Sequence, residues 1–274
     1  MPNFSANIIY LFNEVDLIDR IAAAAAVGFR AVECQRPYEV PPAVVRDLLE
    51  AHDMELVLIN TPVHPSWPHD SGIAIYPDRT SAFREIATCA IEYAAEVGCP
   101  RLHVVAGGLN GIIDPMVAEE TFLDNILWAA DRGRSSGVKI LIEPLNAIDN
   151  PGYFLTATAQ AHGLLMRANH DNLSLQYDLY HAGMSGEDVI GGARTHLHLI
   201  DHMQVAGVPG RHEPDTGTVD MLAAFDAIDA IGYEGWIGAE YRPSHSTTES
   251  FTWGVPYGIG PKSPQPPRVK ATTF

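Results

Sequence analysis

The sequence predicts an α/β fold, specifically a closed (β/α)8 TIM barrel, on three observations. Short apolar, β-forming segments alternate with helical ones, giving eight strands over roughly 240 residues. The apolar segments are near-continuous runs rather than alternating ones, as strands buried on both faces must be. Most of them end on a polar or charged residue, and a parallel barrel gathers those ends at one mouth. The rival is an open, doubly wound sheet. Against it, no glycine-rich phosphate loop follows the first strand; Gly107-Gly108 follows the fourth and lacks GxGxxG spacing.

The elements follow in order. Residues 4–8 read as a strand, and residues 16–27 as a helix with Leu17, Ile18 and Ile21 on one side and Gly28 as its stop. Residues 29–34 form the second strand, 41–52 a helix with prolines at its start, and 55–60 the third strand. Residues 61–77 are a loop rich in Pro, His, Trp and Gly, long enough to suggest a function. A helix over 78–97 stops at Gly98, a strand covers 101–106, and a long helix over 115–136 stops at Gly137. The fifth strand, Lys139-Ile-Leu-Ile-Glu143, is halted by Pro144. Residues 156–168 are helix, 173–178 strand, 185–194 helix and 196–201 strand. A helix over 219–231 stops at Gly232, and 235–240 is the last strand. No change of composition marks a second domain, so 1–257 is one barrel; 258–274, rich in proline, is an extended tail or an arm on a neighbouring subunit.

Bulk properties exclude some partners. Lys and Arg number 17 against 34 Asp and Glu, a net charge of −17. Such a surface repels nucleic acid and anionic membrane. No apolar run approaches the length needed to span a bilayer, and no signal peptide is evident. Cys34, Cys89 and Cys99 are odd in number and lack CxxC spacing, which fits a reducing cytoplasm.

The chemistry is expected at the strand tips: Glu33, Asn60, His103, Glu143, Asp178, His198 and Glu240. Any one glutamate alone would be read as a cap at a wet strand end. Glu143, Asp178, His198 and Glu240, however, come from consecutive strands five to eight. Three carboxylates and an imidazole make a shell for a divalent ion such as Mn2+, Mg2+, Co2+ or Zn2+. The competing use of those acids is a buried salt-bridge network with Arg211 or Arg242. His181, three residues past Asp178, and His103 are candidates for holding substrate oxygens. Arg211 is a candidate for an anionic substrate group, and Trp67 for a lid that excludes water. His52, His162 and His170 fall in helix or connector positions and are expected at the surface.

Together the segments resemble one family. They include Phe4-Ser-Ala-Asn7, Gly28-Phe-Arg-Ala-Val-Glu33, Arg36-Pro-Tyr38, Leu141-Ile-Glu143-Pro-Leu-Asn146, Gln176-Tyr-Asp178-Leu-Tyr-His181, Glu213-Pro-Asp-Thr-Gly217 and Gly235-Trp-Ile-Gly-Ala-Glu240-Tyr241. The chain resembles the hydroxypyruvate isomerase group of the xylose isomerase-like TIM barrels from Phe4 to about Tyr257. The resemblance implies that Glu143 and Glu240 are the acid/base pair and metal ligands, and that Asp178 is a ligand. Two departures bear on substrate. The family's isomerases carry Gln where His196-Leu-His198 is read here, and His at that place is more like the ketose 3-epimerases. The family's Gly-Asp-Trp after the third strand is Pro65-Ser66-Trp67 here, and the segment from Asp201 to Arg211 reads as longer than usual.

The resemblance implies a metal-dependent isomerase acting through an enediolate, with hydroxypyruvate and tartronate semialdehyde as the first expectation. A 2-oxo-tetronate isomerase or a ketose 3-epimerase on the same two glutamates is the alternative. A metal-dependent apurinic-site endonuclease shares the fold but not the charge, and a sugar-binding barrel would not need the strand-tip acids. The expected partner is a small keto acid or sugar, and a homo-oligomer is compatible with the chain.

Overall fold

The computed structural model describes residues 1–63, 72–109 and 111–261. Eight parallel strands close on themselves in sequence order, as expected. They are β1 (Asn3–Asn7), β2 (Ala31–Glu33), β3 (Glu55–Asn60), β4 (Arg101–His103), β5 (Lys139–Ile142), β6 (Leu173–Asp178), β7 (Ile200–Val205) and β8 (Trp236–Ala239). The helices are α1 (Arg20–Ala26), α2 (Pro42–His52), α3 (Thr80–Val97), α4 (Pro115–Arg134), α5 (Thr158–Ala168), α6 (Leu179–Met184), α7 (Val189–His196) and α8 (Met221–Ala230). After β8 two 3-10 turns, Thr247–Ser250 and Thr252–Tyr257, stand where an eighth long helix would lie.

Local chemistry sets the ends. Pro115 opens α4, where the Asp114 side chain accepts from the Met116 and Val117 amides. Gly98 ends α3 at φ 81°, a left-handed conformation that costs glycine little. Outside the barrel, the strands bury Ile, Leu and Val against the helices. Of the tail expected from residue 258, the described part packs inward: Ile259 is buried and the Gly260 amide donates to the Val27 carbonyl.

The fourth strand is shorter than expected, ending at His103, and the seventh is displaced, which moves a site residue. Residues 196–201 were expected as the seventh strand. Instead α7, capped by Asp188, runs to His196, and Leu197–Leu199 make a 3-10 turn. The alternation of polar and apolar residues from His196 to Ile200 mimics a strand, but the chain is still turning there. The pairing begins with Leu175 opposite Ile200, then Gln176 opposite His202 and Asp178 opposite Gln204. The inward residues of the true strand are therefore His202 and Gln204, both buried.

The barrel interior is unusually polar. Ser5, Asn7, Glu33, Ser174, Gln176, Asp178, His202 and Gln204 are all buried strand residues. Near the strand starts, Asp201 lies between Arg101 Nε and Lys139 Nζ, each at 2.6 Å. Burial disfavours its charge, but the Lys139 hydrogen bond and the Arg101 guanidinium outweigh this and hold its pKa below the ordinary value. A carboxylate with a folded pKa below its unfolded one stabilises the fold above the unfolded pKa, and the gain is lost as pH falls through the folded one. Asp201→Asn is therefore expected to cost about 2 kcal/mol at pH 7, with the gap to wild type closing below about pH 4. Urea melts of both chains from neutral to acid pH measure this, and a gap independent of pH would refute it.

Candidate active site

The C-terminal strand ends open into a cavity of about 830 Å3. Its walls include Tyr10, Gln35, His103, Glu143, His181, Arg211, Glu240 and Arg242. Glu143 follows β5, Asp178 ends β6 and Glu240 follows β8, so the barrel delivers three of the four expected ligands to neighbouring positions. Each of the three carboxylates is buried. His198 does not join them. It lies on the exposed turn before β7, at the opposite end of the barrel, with its ring 6.4 Å from that of His162. Trp67 lies outside the described residues.

Arg211 supplies the positive charge. Its guanidinium lies 3.2 Å from Glu240 Oε1 and 3.8 Å from Asp178 Oδ2. It is stacked between two rings, 5.0 Å from the Tyr10 centroid and 4.8 Å from that of Tyr180. Burial opposes its charge, but Glu240, Tyr10 and Asp178 hold its proton more tightly than usual. Arg211 is thus first the countercharge of the acids, the salt-bridge arrangement that competed with metal binding in the sequence. One guanidinium does not balance three carboxylates. Burial, then Glu240 and Asp178, push Glu143 well above the ordinary carboxylate range. Burial also raises Glu240 to about 8 and Asp178 to about 6, with Arg211 working against both shifts.

The polar partners fix orientation. Gln35 Nε2 donates to Glu240 Oε1 at 2.7 Å. The Asn146 backbone amide donates to His181 Nδ1 at 3.1 Å. A ring nitrogen that accepts from a peptide N–H carries no proton, so neutral His181 is protonated on Nε2. That nitrogen points at Asp178 Oδ2, 3.6 Å away. Burial, then Arg211 and His103, keep His181 neutral. His103 is neutral too, pushed down to about 3 by burial. Its Nδ1 lies 3.4 Å from Glu143 Oε2, and neither ring nitrogen has a hydrogen-bond partner.

The donor set fits a metal ion. Ligand atoms of Glu143 and Asp178 lie within 4.8 Å of each other and of His181, whose Nε2–H leaves the two carboxylates as the donors there. Asp178 Oδ2 is buried without a hydrogen-bond partner, which is costly unless something binds it. Sequence reasoning missed Gln35, Gln204, Tyr10 and Tyr180. The signal for Gln204 was present in His202-Met203-Gln204-Val205, an inward/outward alternation just past the point where the strand was thought to end.

With this geometry in place, comparison with known proteins decides the family. The family described as Xylose isomerase-like TIM barrel matches residues 21–255. The chain belongs to that family. Among its relatives is a 2-oxo-tetronate isomerase of Cupriavidus necator, 39% identical over 94% of this chain and 99% of the relative. Another is the hydroxypyruvate isomerase of Escherichia coli, 33% identical over 94% of this chain and 100% of the relative. A crystal structure described as AP endonuclease, family 2 from Brucella melitensis superposes with a TM-score of 0.91 at 36% identity, over 94% of this chain and 99% of that one. The family and barrel expected from the sequence are borne out. No helix among the described residues is long and apolar enough to cross a membrane.

If Arg211 is the countercharge, removing it should hurt the metal-free fold. Arg211→Met is expected to cost about 3 kcal/mol, more at pH 8 than at pH 6, because the carboxylates it serves carry more charge there. Urea denaturation of the EDTA-treated proteins reads this out, and equal stability would show that the guanidinium serves substrate alone.

Proposed function

We propose that the chain is an intramolecular oxidoreductase of the aldose–ketose type. It interconverts a small 2-keto hydroxy acid and its aldehyde isomer, with hydroxypyruvate and tartronate semialdehyde first and a 2-oxo-tetronate beside them. The observation that carries this is the pair Glu143 and Glu240. Both face one cavity, and both are held above the ordinary carboxylate range by burial first and then by neighbouring acids, Glu240 and Asp178 for Glu143 and Asp178 for Glu240. Carboxyl groups poised nearer neutrality can take and return protons at carbon. The names of the relatives support the substrate class.

Glu143, Asp178, Gln204 and Glu240 would hold a divalent cation, Gln204 taking the fourth place once assigned to His198. When bound, such an ion supplies Lewis-acid stabilisation of negative charge on neighbouring substrate oxygens. In the forward direction one glutamate removes a hydrogen from C3 of hydroxypyruvate as a proton. The C2 carbonyl oxygen takes up the charge and becomes the second oxygen of an enediolate. A proton returned by a glutamate to C2, with the C3 hydroxyl proton passing to the C2 oxygen, leaves an aldehyde at C3 and a hydroxyl at C2. His181 presents an Nε2–H toward the acids, which suits it to a substrate oxygen rather than to metal. His103, neutral and without a partner, can serve a second oxygen. Arg211 can attract the substrate's carboxylate only while shared with Glu240 and Asp178.

Despite the likeness to a structure described as an AP endonuclease, charge argues against DNA. A net charge of −17 repels a phosphate backbone.

Two outcomes are expected. With Mn2+ or Mg2+ present, the protein should exchange the C3 hydrogens of hydroxypyruvate in D2O and form the aldehyde isomer, and Glu143→Gln or Glu240→Gln should lower the rate by about 10²–10⁴-fold. Full activity in EDTA, or full exchange in both variants, would sink this reading. Second, acids that hold protons in the metal-free protein must release them to a cation. Mn2+ binding should therefore tighten from about pH 5 to about pH 8 and eject protons. Calorimetry in two buffers of different ionisation enthalpy detects this, and identical heats would remove the carboxylates from the site.

A further inference from the structure

We propose that Glu33, which lies below the cavity rather than in its wall, is a positioning residue that sets which end of the Gln204 amide faces the acids. The inference rests on the metal-site reading above and adds to it a residue that touches neither cation nor substrate.

Glu33 ends β2 with its side chain inside the barrel, 1% exposed. A carboxylate in such a place needs donors, and it has three. Its Oε1 accepts from Asn7 Nδ2 at 2.7 Å and from Gln204 Nε2 at 2.7 Å. Its Oε2 accepts from His202 Nε2 at 2.6 Å. The barrel leaves space for this group. A Cβ on Gly238, the β8 residue paired with Gln204, would sit 2.2 Å from Glu33 Oε2.

The consequence falls on Gln204. Its amide is planar, with donor and acceptor on opposite prongs. A carboxylate can only accept, so Glu33 can be met only by Nε2. Oε1 is thereby turned the other way, where it accepts from Gln176 Nε2 at 2.6 Å and keeps a second lone pair. Gln204 is also the residue paired with Asp178 across β6 and β7. Without Glu33, either prong could turn toward Asp178, and the NH2 prong cannot ligate a cation. Outer groups that orient a ligand in this way are worth 10–100-fold in metal affinity.

Two mild substitutions separate orientation from charge. Glu33→Gln removes the charge but keeps an oxygen where Asn7 and Gln204 donate. His202 can accept from the new NH2 by moving its proton to Nδ1, which has no partner. Glu33→Asp keeps the charge but withdraws the oxygens by one methylene. Mn2+ affinity of the full-length, EDTA-stripped proteins would be read by electron paramagnetic resonance, with circular dichroism confirming folding. The expected result is a loss of about tenfold or more in Glu33→Asp and less than about threefold in Glu33→Gln. The reverse order would make Glu33 a long-range anion, and equal affinities, both intact or both impaired, would make it a structural plug; either overturns the inference. A wild-type chain that binds no Mn2+ would fall first on the proposed function, and this inference would fall with it. Should Glu33→Asp not fold, the wild-type chain gives a second reading. Its Gln204 side-chain amide protons should resist solvent exchange both with and without Mg2+, and exchange as fast as a surface amide would overturn the assignment.

Discussion

The structure turns on the removal of three carboxylates from water within one barrel mouth. Each is buried, and only one guanidinium is paired with them among the described residues. Excess negative charge in a dry site must be met by a proton or by another cation. The raised proton affinities of Glu143 and Glu240 are the first answer, and Asp178 Oδ2, which accepts no hydrogen bond, is where the second would act. The surrounding groups then follow. The Arg211 guanidinium lies over the rings of both Tyr10 and Tyr180, which add two cation–π contacts to the countercharge. Gln35 orients Glu240 from one side. Asn146 sets the tautomer of His181 so that it offers a proton to the cavity instead of competing for a cation.

A second polar layer lies under the first, which apolar barrel packing does not require. Glu33 with Asn7, His202 and Gln204 is fully donor-satisfied on the carboxylate, while Gln176 Oε1 and His202 Nδ1 have no partner. Filling that layer with aliphatic side chains would be the simpler way to stabilise a barrel, since buried polar networks rarely exceed hydrophobic replacements in stability. Its retention is understandable if rigidity at Gln204 matters more than stability. The layer fixes the side chain of the residue that pairs with Asp178 across the two strands.

Much of this was legible in the sequence because period and punctuation carry it. Apolar runs ending in Glu143 and Glu240, glycines and prolines at the stops, and the count of units determine a barrel and place two acids at its mouth. The seventh strand was legible only in part. His196-Leu-His198-Leu alternates like a strand, and the residues that decide against it are elsewhere: the Asp188 cap that starts α7 and the pairing of Leu175 with Ile200. A shift of a few residues in where the strand begins sends the wrong histidine to the mouth. Glu33 was read as a strand tip like the others. Whether a tip residue enters the cavity or the layer below depends on barrel stagger, which one strand's sequence does not contain. The pairing of Arg211 with the acids depends on a loop conformation, with Arg211 at φ 53°, that no periodicity reports.

The corrected seventh strand also bears on the direction of the chemistry. The case for an epimerase rested on His198 entering the shell in place of the glutamine that the isomerases carry. With His198 on the far side of the barrel, that case has no residue behind it. His202-Met203-Gln204 supplies a glutamine where one was thought missing, and the strand itself runs to Val205, into the segment between Asp201 and Arg211 that read as long. Isomerisation and epimerisation both use two bases beside one polarised carbonyl, so the glutamates alone do not separate them. What separates them is whether the proton returns to the neighbouring carbon or to the opposite face of the same one. Isomerisation needs acid/base groups that serve two adjacent carbons, whereas a ketose epimerised at C3 must present one carbon's two faces to opposed bases.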